Sequence, residues 1–164
     1  MRKKVYYITP DIMKDFCNIF YTNFNKIRYS EGQKILVEID KIIPANKDWN
    51  DTIQRYNDVF DKIENNENCN NSNWWKHEQK NDVKNIKKRF KKLKNIYKSI
   101  KKYGYKYENK NHIKLIDIRN LTKKNIENSR LSKYYYRING MKRLLICNYL
   151  GINYIPVKVF KVKI

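Results

Sequence analysis

The segment YYYRINGMKRLLICNYLGINYIPVKV, residues 134–159, carries the clearest fold pattern in the chain. It holds two of the four glycines, Gly140 and Gly151. A tyrosine-rich run precedes the Asn-Gly pair, and an alternating apolar run follows the second glycine. Asn-Gly is typical of a tight turn, and glycine commonly ends a helix. The segment therefore predicts a strand, a turn, a helix over 141–150 and a final strand. In the first strand Tyr134, Tyr136 and Ile138 share one face; in the final strand we expect Ile155, Val157 and Val159 to face inward and Lys158 outward.

The start of this predicted helix has the properties of a phosphate site. The amides of Met141, Lys142 and Arg143 would lack intrahelical acceptors, and the helix dipole adds about half a positive charge there. Gly140 has no side chain to keep a ligand oxygen away from the backbone. Lys142 and Arg143 add full charges, and a guanidinium can bind two phosphate oxygens. The alternative is an ordinary strand–turn–helix joint whose basic pair faces water, and spacing alone does not separate the two.

The whole chain is strongly basic. It has 37 basic and 16 acidic residues and a net charge of +21. Such an excess favours a polyanionic partner, which is either nucleic acid or the phosphates of a nucleotide. The alternative is compositional bias of an AT-rich coding sequence, because lysine far outnumbers arginine. Bias explains why lysine replaces arginine, but it does not explain the shortage of acids.

Length and cysteine content limit the protein class. With 164 residues and no run of about 20 apolar residues, we expect one domain with no membrane partner. The first residues lack the apolar core of a signal peptide. Cys17, Cys69 and Cys147 are too far apart for a CxxC site, and their odd number does not fit a disulfide framework. These features predict a cytoplasmic protein; they do not define the oligomeric state.

Hydrophobic periodicity predicts alternating strands and helices upstream of the opening segment. We expect an irregular arm over 1–33 with a short amphipathic helix, and one domain over 34–164 with a Trp- and Asn-rich insert at 46–80. Within that domain the pattern predicts a strand and turn at 34–44, a helix at 47–63, a mobile Asn-rich loop at 64–73, strands at 112–118 and 133–138, and a polar connection at 119–132. This alternation predicts an α+β or α/β protein with a small mixed sheet.

The clearest helical pattern covers residues 82–103. Its apolar stripe consists of Val83, Ile86, Phe90, Leu93, Tyr97 and Ile100. Asn81 or Asp82 is expected to cap its start, and Gly104 to end it.

Eleven basic residues and no acidic residue lie between Lys84 and Lys106. The candidates for contacting DNA or RNA are Lys84, Lys87, Lys88 and Lys91. The alternative is the solvated face of an amphipathic helix.

Three motifs resemble the ParB/sulfiredoxin superfamily. RINGMKRLLICNYLGINYIPVKV resembles the last motif of that family, in which a strand leads into Gly-x-(His/Arg/Lys)-Arg, a helix, Leu-Gly and an Ile-Pro-Val strand. LKNIYKSIKKYGYK, residues 93–106, resembles the leading helix of the family, and ILVEIDKIIP, residues 35–44, its opening strand. The Trp-rich stretches KDWND and NWWKH resemble the insert of a ParB-like subgroup.

The resemblance implies a small α+β fold that places the phosphates of a nucleotide, ATP or CTP, on the helix start at Gly140–Arg143. The leading helix of the family contributes to the same pocket, and its matching side chains here are Lys92, Asn95 and Ser99. Met141 stands where a sulfiredoxin has its reactive cysteine. Because a thioether cannot be that nucleophile, we do not expect sulfinic-acid reductase activity. Partition proteins follow this domain with a helix-turn-helix region, and the sequence ends at Ile164 without that pattern.

Relatives in this superfamily include nucleotide hydrolases, small-molecule kinases and nucleases, so catalysis is an open question. Phosphoryl transfer would need Mg²⁺ held by carboxylates. Asp40 is the first candidate for metal binding and catalysis, and Glu38 is the second. Asp40 can equally cap a turn, and Asp48 the following helix. His77 is expected in a loop with Trp74 and Trp75, and His112 at the start of a strand; both are expected to be structural.

Trp74 and Trp75 allow two interpretations. Next to Lys76 and His77 they could stack nucleic-acid bases, or they could anchor a loop to the core, which is the commoner use of tryptophan. The leading hypothesis for the whole chain is a nucleotide-binding ParB-like domain. Its rivals are a non-enzymatic nucleic-acid-binding module and a ParB-like nuclease, both of which would use the basic 84–106 segment.

Overall fold

A computed structural model describes residues 28–29, 31–43, 49–107, 112–117 and 135–163. Its strands are β1 Arg28–Tyr29, β2 Gln33–Glu38, β3 Ile42–Ile43, β4 Lys114–Asp117, β5 Tyr135–Asn139 and β6 Tyr154–Lys163. Its α-helices are α1 Trp49–Glu64, α2 Asn73–Lys80, α3 Ile86–Tyr103 and α4 Met141–Tyr149. Short 3₁₀ helices cover Ile39–Lys41 and Cys69–Asn71. The described part of the chain is α+β, as predicted.

The chain divides into two compact units. A strand unit comprises residues 1–47, 106–141 and 153–164. A helical unit comprises residues 48–105 and 142–152. The predicted insert at 46–80 thus belongs to a larger helical unit that also contains α3 and most of α4.

The strand unit contains a mixed sheet built around β6. β4 pairs with β6 in parallel and with β5 antiparallel, and β3 extends the sheet by pairing in parallel with β5. β2 and β1 pair antiparallel along the other edge of β6. The outermost strands are β2 and the two-residue strands β1 and β3, whereas β6, β4 and β5 each have strands on both sides.

One face of β6 forms a buried apolar layer. Ile155, Val157 and Val159 are buried, which confirms the predicted inward face of the last strand. Val37 of β2 lies opposite Ile155, and Leu115 of β4 lies opposite Val159. Both partners are also buried. The period-two alternation of a strand therefore places these side chains on one face of the sheet.

The helical unit has an aromatic core. Phe60 of α1 is fully buried and stacks on Tyr97 of α3, with ring centroids 4.9 Å apart. Tyr149 of α4 packs against the same ring at 5.2 Å. The hydroxyl of Tyr97 donates to Glu64, which also forms an ion pair with Lys101. Burial and, to a smaller extent, this hydrogen bond raise the pKa of Tyr97.

The basic helix begins later than the sequence predicts. α3 starts at Ile86, because Asp82 and Asn85 both have positive φ, 51° and 59°, which interrupts helical backbone geometry. The prediction that Asn81 or Asp82 caps this helix is wrong, since Asn81 instead ends α2. The predicted end is confirmed: Gly104 has a φ of 76°, and its amide donates to the carbonyl of Ile100 at 2.8 Å.

The Asn-rich segment is more structured than predicted. It contains the 3₁₀ helix Cys69–Asn71, whose first turn is closed by the side chain of Asn68. Ser72 then caps α2, because its hydroxyl accepts from the amide of Trp75 at 3.1 Å. His77, expected in a loop, lies on this helix, and burial lowers its pKa.

Several sequence predictions fall outside the described residues. These are the amphipathic helix of the N-terminal arm, Asp48 and the polar connection at 119–132. Arm residues 28–29 form β1. None of the described helices is both long and apolar enough to cross a bilayer.

Candidate functional site

The joint between β5 and α4 adopts the predicted strand–turn–helix geometry. Gly140 has a φ of 90°, and its amide donates to the side-chain oxygen of Asn139 at 2.8 Å. α4 begins at the next residue, Met141. The amides of Lys142 and Arg143 fall within the first turn, where backbone donors have no intrahelical acceptor. Because the amide of Gly140 is already hydrogen-bonded, the backbone donors that remain for an anion are the amides of Lys142 and Arg143.

Gly140 also has a packing role in the strand unit. A Cβ at this position would lie 2.8 Å from Cγ1 of Ile113 and 2.9 Å from its Cα. Real side chains do not approach a backbone so closely. Because Gly140 has no side chain, its backbone can lie close to Ile113, just before β4. This packing explains the glycine without a ligand.

Lys142 is the centre of a cluster of positive charges in the helical unit. Its side chain is half-buried, and this burial lowers the pKa of its ammonium group. The positive charges of Arg89 and Lys92, both on α3, lower this pKa further. The structure therefore brings together two of the predicted binding residues, Lys92 and Lys142.

Arg143 adds a further cation beside Lys142, and its charge also lowers the pKa of Lys142. The residue is half-buried. Among the described residues Arg143 forms no ion pair. We call Arg89, Lys92, Lys142 and Arg143 the basic cluster.

Glu78 is the acid that acts on the basic cluster. Its carboxylate is nearly buried and lies 3.1 Å from Nε of Arg89. It raises the pKa of Lys142, which opposes the effect of the cations. With four cations and one acid the cluster keeps a net charge of about +3, so a bound anion would be stabilised by Coulombic attraction.

The sequence did not identify Arg89 or Glu78 as parts of this site. Arg89 carries a usable signal, because it lies three residues before Lys92 on the same helix and thus shares its flank. Glu78 has no comparable signal, since its position depends on how α2 packs against α3.

The other two predicted binding residues on α3 are Asn95 and Ser99. Asn95 and Ser99 are exposed. Within the described part of the chain neither side chain forms a hydrogen bond. Of the three predicted binding residues on α3, only Lys92 acts on the pKa of Lys142.

The predicted catalytic acids belong to the strand unit. Glu38 ends β2 opposite Tyr154, and Asp40 is exposed in the 3₁₀ helix that follows. No group of three His, Cys, Asp or Glu side chains suited to a metal ion occurs among the residues that the structure describes. The assignment of Asp40 and Glu38 stays a prediction.

The histidine and tryptophan predictions have clearer outcomes. His112 is buried in the strand unit and stacks on Tyr107 at 4.7 Å. Trp74 and Trp75 are 1% and 7% exposed, and both rings pack against Phe90 of α3. Both tryptophans are thus packed in the core, as the anchoring interpretation predicts, but they belong to a helix and not to a loop. Their buried rings are not open to stacking bases.

The predicted nucleic-acid-binding lysines are all exposed. Lys84 precedes α3, and the helix carries Lys87, Lys88 and Lys91. They form no ion pairs within the described ranges. Their charges are available to a partner.

Comparison with known proteins gave no relative. A scan against family models, a search of curated proteins and a search of solved structures each found no match.

Proposed function

We propose that this chain binds a nucleoside triphosphate, ATP or CTP with Mg²⁺, and that the phosphates lie on the basic cluster at the start of α4. The observation that carries the proposal is the half-buried ammonium of Lys142, which lies near Arg89 and Lys92 and whose pKa is lowered. A half-buried ammonium group next to like charges is unfavourable, and a bound anion would offset part of that cost.

The geometry of the cluster matches the chemistry of phosphate groups. The first turn of α4 supplies the amides of Lys142 and Arg143, for which the helix has no acceptor, and the positive end of a helix dipole. Arg143 supplies a forked donor, and Lys142 and Lys92 supply point charges. A phosphate chain offers several acceptor oxygens and several negative charges, so it can use these groups together.

The motif resemblance supports the same ligand. The pattern Gly140-Met141-Lys142-Arg143 resembles the phosphate-binding helix start of the ParB/sulfiredoxin superfamily, and the α+β class of the described chain is compatible with it. Hydrolysis or phosphoryl transfer stays a further hypothesis, with Asp40 and Glu38 as candidate Mg²⁺ ligands. The proposal therefore concerns binding.

Replacing Arg143 with alanine should weaken binding of Mg²⁺-ATP and Mg²⁺-CTP by about 10-fold or more. Hydrogen bonds to charged groups contribute about 1.5–3 kcal/mol each, and about 1.4 kcal/mol corresponds to tenfold. Isothermal titration calorimetry of the wild type, Arg143→Ala and Lys142→Ala measures this directly.

The matched control is Lys80→Ala, which removes one exposed charge at the end of α2, outside the basic cluster. Its affinity should stay within about twofold of the wild type, because the charge of Lys80 does not act on the pKa of Lys142 and exposed charges are screened by salt. An absence of submillimolar binding in the wild type, or equal losses in Lys80→Ala and Arg143→Ala, would contradict the proposal.

The affinity should also depend on pH through Lys142. Its pKa in the free protein is lowered from 10.5, and a bound phosphate would raise it again. At a pH between these two values, Lys142 takes up a proton when the ligand binds. The affinity should therefore fall as the pH rises above the lowered pKa of the free protein. The stability of the free protein depends on pH in the opposite direction. The folded state binds this proton less tightly than the unfolded state, so stability rises with pH between the lowered pKa and 10.5.

The check is the dissociation constant of Mg²⁺-ATP measured from pH 7.5 to 10 for the wild type and Lys142→Arg. Arginine stays charged throughout this range, so its profile should be flatter. Identical profiles for the two proteins would show that Lys142 does not titrate against the ligand.

A further inference from the structure

A row of lysines runs along the solvent side of α3. Lys87, Lys91, Lys94 and Lys98 follow one another at intervals of four, three and four residues. This is the helical spacing of a single face, and the row lies about a third of a turn away from the apolar stripe. From Lys87 to Lys98 it extends about 16 Å along the helix, at 1.5 Å per residue.

The charges of this row are not used within the described protein. Lys87, Lys91 and Lys98 are exposed, and Lys94 is half-exposed. None of the four forms an ion pair with a described residue. The next residue at the same spacing, Lys101, is engaged with Glu64 and ends the row. Four cations on one face without acids between them make a surface complementary to a polyanion.

The row differs from the basic cluster. Arg89 and Lys92 lie on the other side of the apolar stripe of α3, because successive residues are rotated by about 100°. The charges of Arg89 and Lys92 act on Lys142, whereas the row faces away from that flank. A partner of the row is therefore separate from the nucleotide proposed above.

Of the polyanions, the structure favours the backbone of a nucleic-acid duplex. A membrane-surface helix needs an apolar face to insert, but the apolar residues Leu93, Tyr97 and Ile100 are buried in the core. Single-stranded nucleic acids are usually bound with exposed aromatic side chains, and the row has none between its lysines. A duplex carries about ten phosphate charges over 16 Å, which is enough for each lysine to reach one.

We propose that the lysine row of α3 binds the phosphate backbone of duplex DNA without reading its sequence. Contacts to phosphates alone carry no sequence information, so affinity should depend on salt and hardly on sequence.

The test is fluorescence anisotropy of labelled 20-base-pair duplexes of two unrelated sequences, measured from 50 to 300 mM salt. The row variant is Lys87→Gln/Lys91→Gln/Lys98→Gln. The control variant, Lys34→Gln/Lys76→Gln/Lys80→Gln, removes three exposed lysines elsewhere. Both variants lower the net charge from +21 by the same amount. Circular dichroism verifies that each variant is folded.

We expect the row variant to bind duplex DNA about 100-fold more weakly at 0.1 M salt and its logarithmic salt slope to shrink by about 3. The control variant should stay within a few fold of the wild type, and the row variant should keep its ATP affinity. Equal weakening of the two variants would reduce the effect to net charge and overturn the proposal. The proposal would also be overturned if the wild-type affinity did not depend on salt. It would be overturned as well if the wild type preferred single-stranded DNA or phosphatidylserine vesicles and the row variant kept that preference.

Discussion

Replacing Gly140 with alanine should destabilise the protein by about 2–5 kcal/mol, even without any ligand. The φ of 90° places an alanine in backbone space that costs about 1–2 kcal/mol. The new Cβ would also overlap the backbone of Ile113 at 2.9 Å, and overpacking of this kind costs about 1–3 kcal/mol. Ile113 cannot easily retreat, because its carbonyl accepts from the amide of Lys158 at 3.0 Å within the sheet.

Urea unfolding followed by far-ultraviolet circular dichroism measures this loss. The matched control is Gly151→Ala at the other end of α4, where φ is 71° and a Cβ would meet nothing within 4 Å. It should cost only the backbone term of about 1–2 kcal/mol. If both variants lose the same stability, the contact with Ile113 is not what requires glycine. The positive φ of Gly140 would then be sufficient to explain the glycine.

This contact shows which part of the site a sequence motif can reveal. The Asn-Gly pair predicts a turn from local chemistry, and the turn is present. The neighbour that excludes a side chain at Gly140 is Ile113, which lies far away in the sequence and reaches the turn only through strand pairing. The motif therefore predicted the backbone geometry but suggested a different reason for the glycine.

Elements whose pattern is set by one buried face were predicted closely. The helix expected at 47–63 is α1 at Trp49–Glu64, and the helix expected at 141–150 is α4 at Met141–Tyr149. The final strand has its predicted inward face. In each case the period of the apolar residues matches the geometry of the element, so local sequence is sufficient.

Burial was harder to predict where both faces of a strand are covered. β5 was expected to place Tyr134, Tyr136 and Ile138 on one face, and the structure buries Tyr135 and Arg137 as well as Tyr136. The alternation of residues along a strand shows which side chains share a face, but it does not show whether each face is covered. Burial lowers the pKa of the Arg137 guanidinium to about 10.

The candidate site was likewise predictable only in part. Lys142 and Arg143 follow from the motif, and Lys92 follows from the resemblance of α3 to a leading helix. That Lys92 and Lys142 influence each other is a tertiary fact, as is the pairing of Glu78 with Arg89. Sequence alone proposes members of the basic cluster, whereas the structure shows which of them interact.

The second large effect should come from Phe60→Ala, which we expect to lower the free energy of unfolding of the helical unit by about 3–5 kcal/mol. Phe60 is fully buried and touches aromatic rings from three helices of that unit: Tyr56 on its own helix, Tyr97 on α3 and Tyr149 on α4. Truncation leaves a cavity that these large rings cannot fill without breaking their own hydroxyl contacts, which join Tyr97 to Glu64 and Tyr149 to Asp61.

Tryptophan fluorescence during urea unfolding is the appropriate measurement, because Trp49, Trp74 and Trp75 all belong to the helical unit. Tyr103→Ala is the control: it removes an aromatic ring that is 58% exposed on the same unit, and it should change stability by less than about 1 kcal/mol. If Phe60→Ala does not fold, Phe60→Leu keeps most of the apolar volume and should show a smaller loss of the same sign. A loss below about 1 kcal/mol for Phe60→Ala would mean that the aromatic core does not hold α1, α3 and α4 together. Other contacts would then have to hold α3 and α4 in the relative position on which the basic cluster depends.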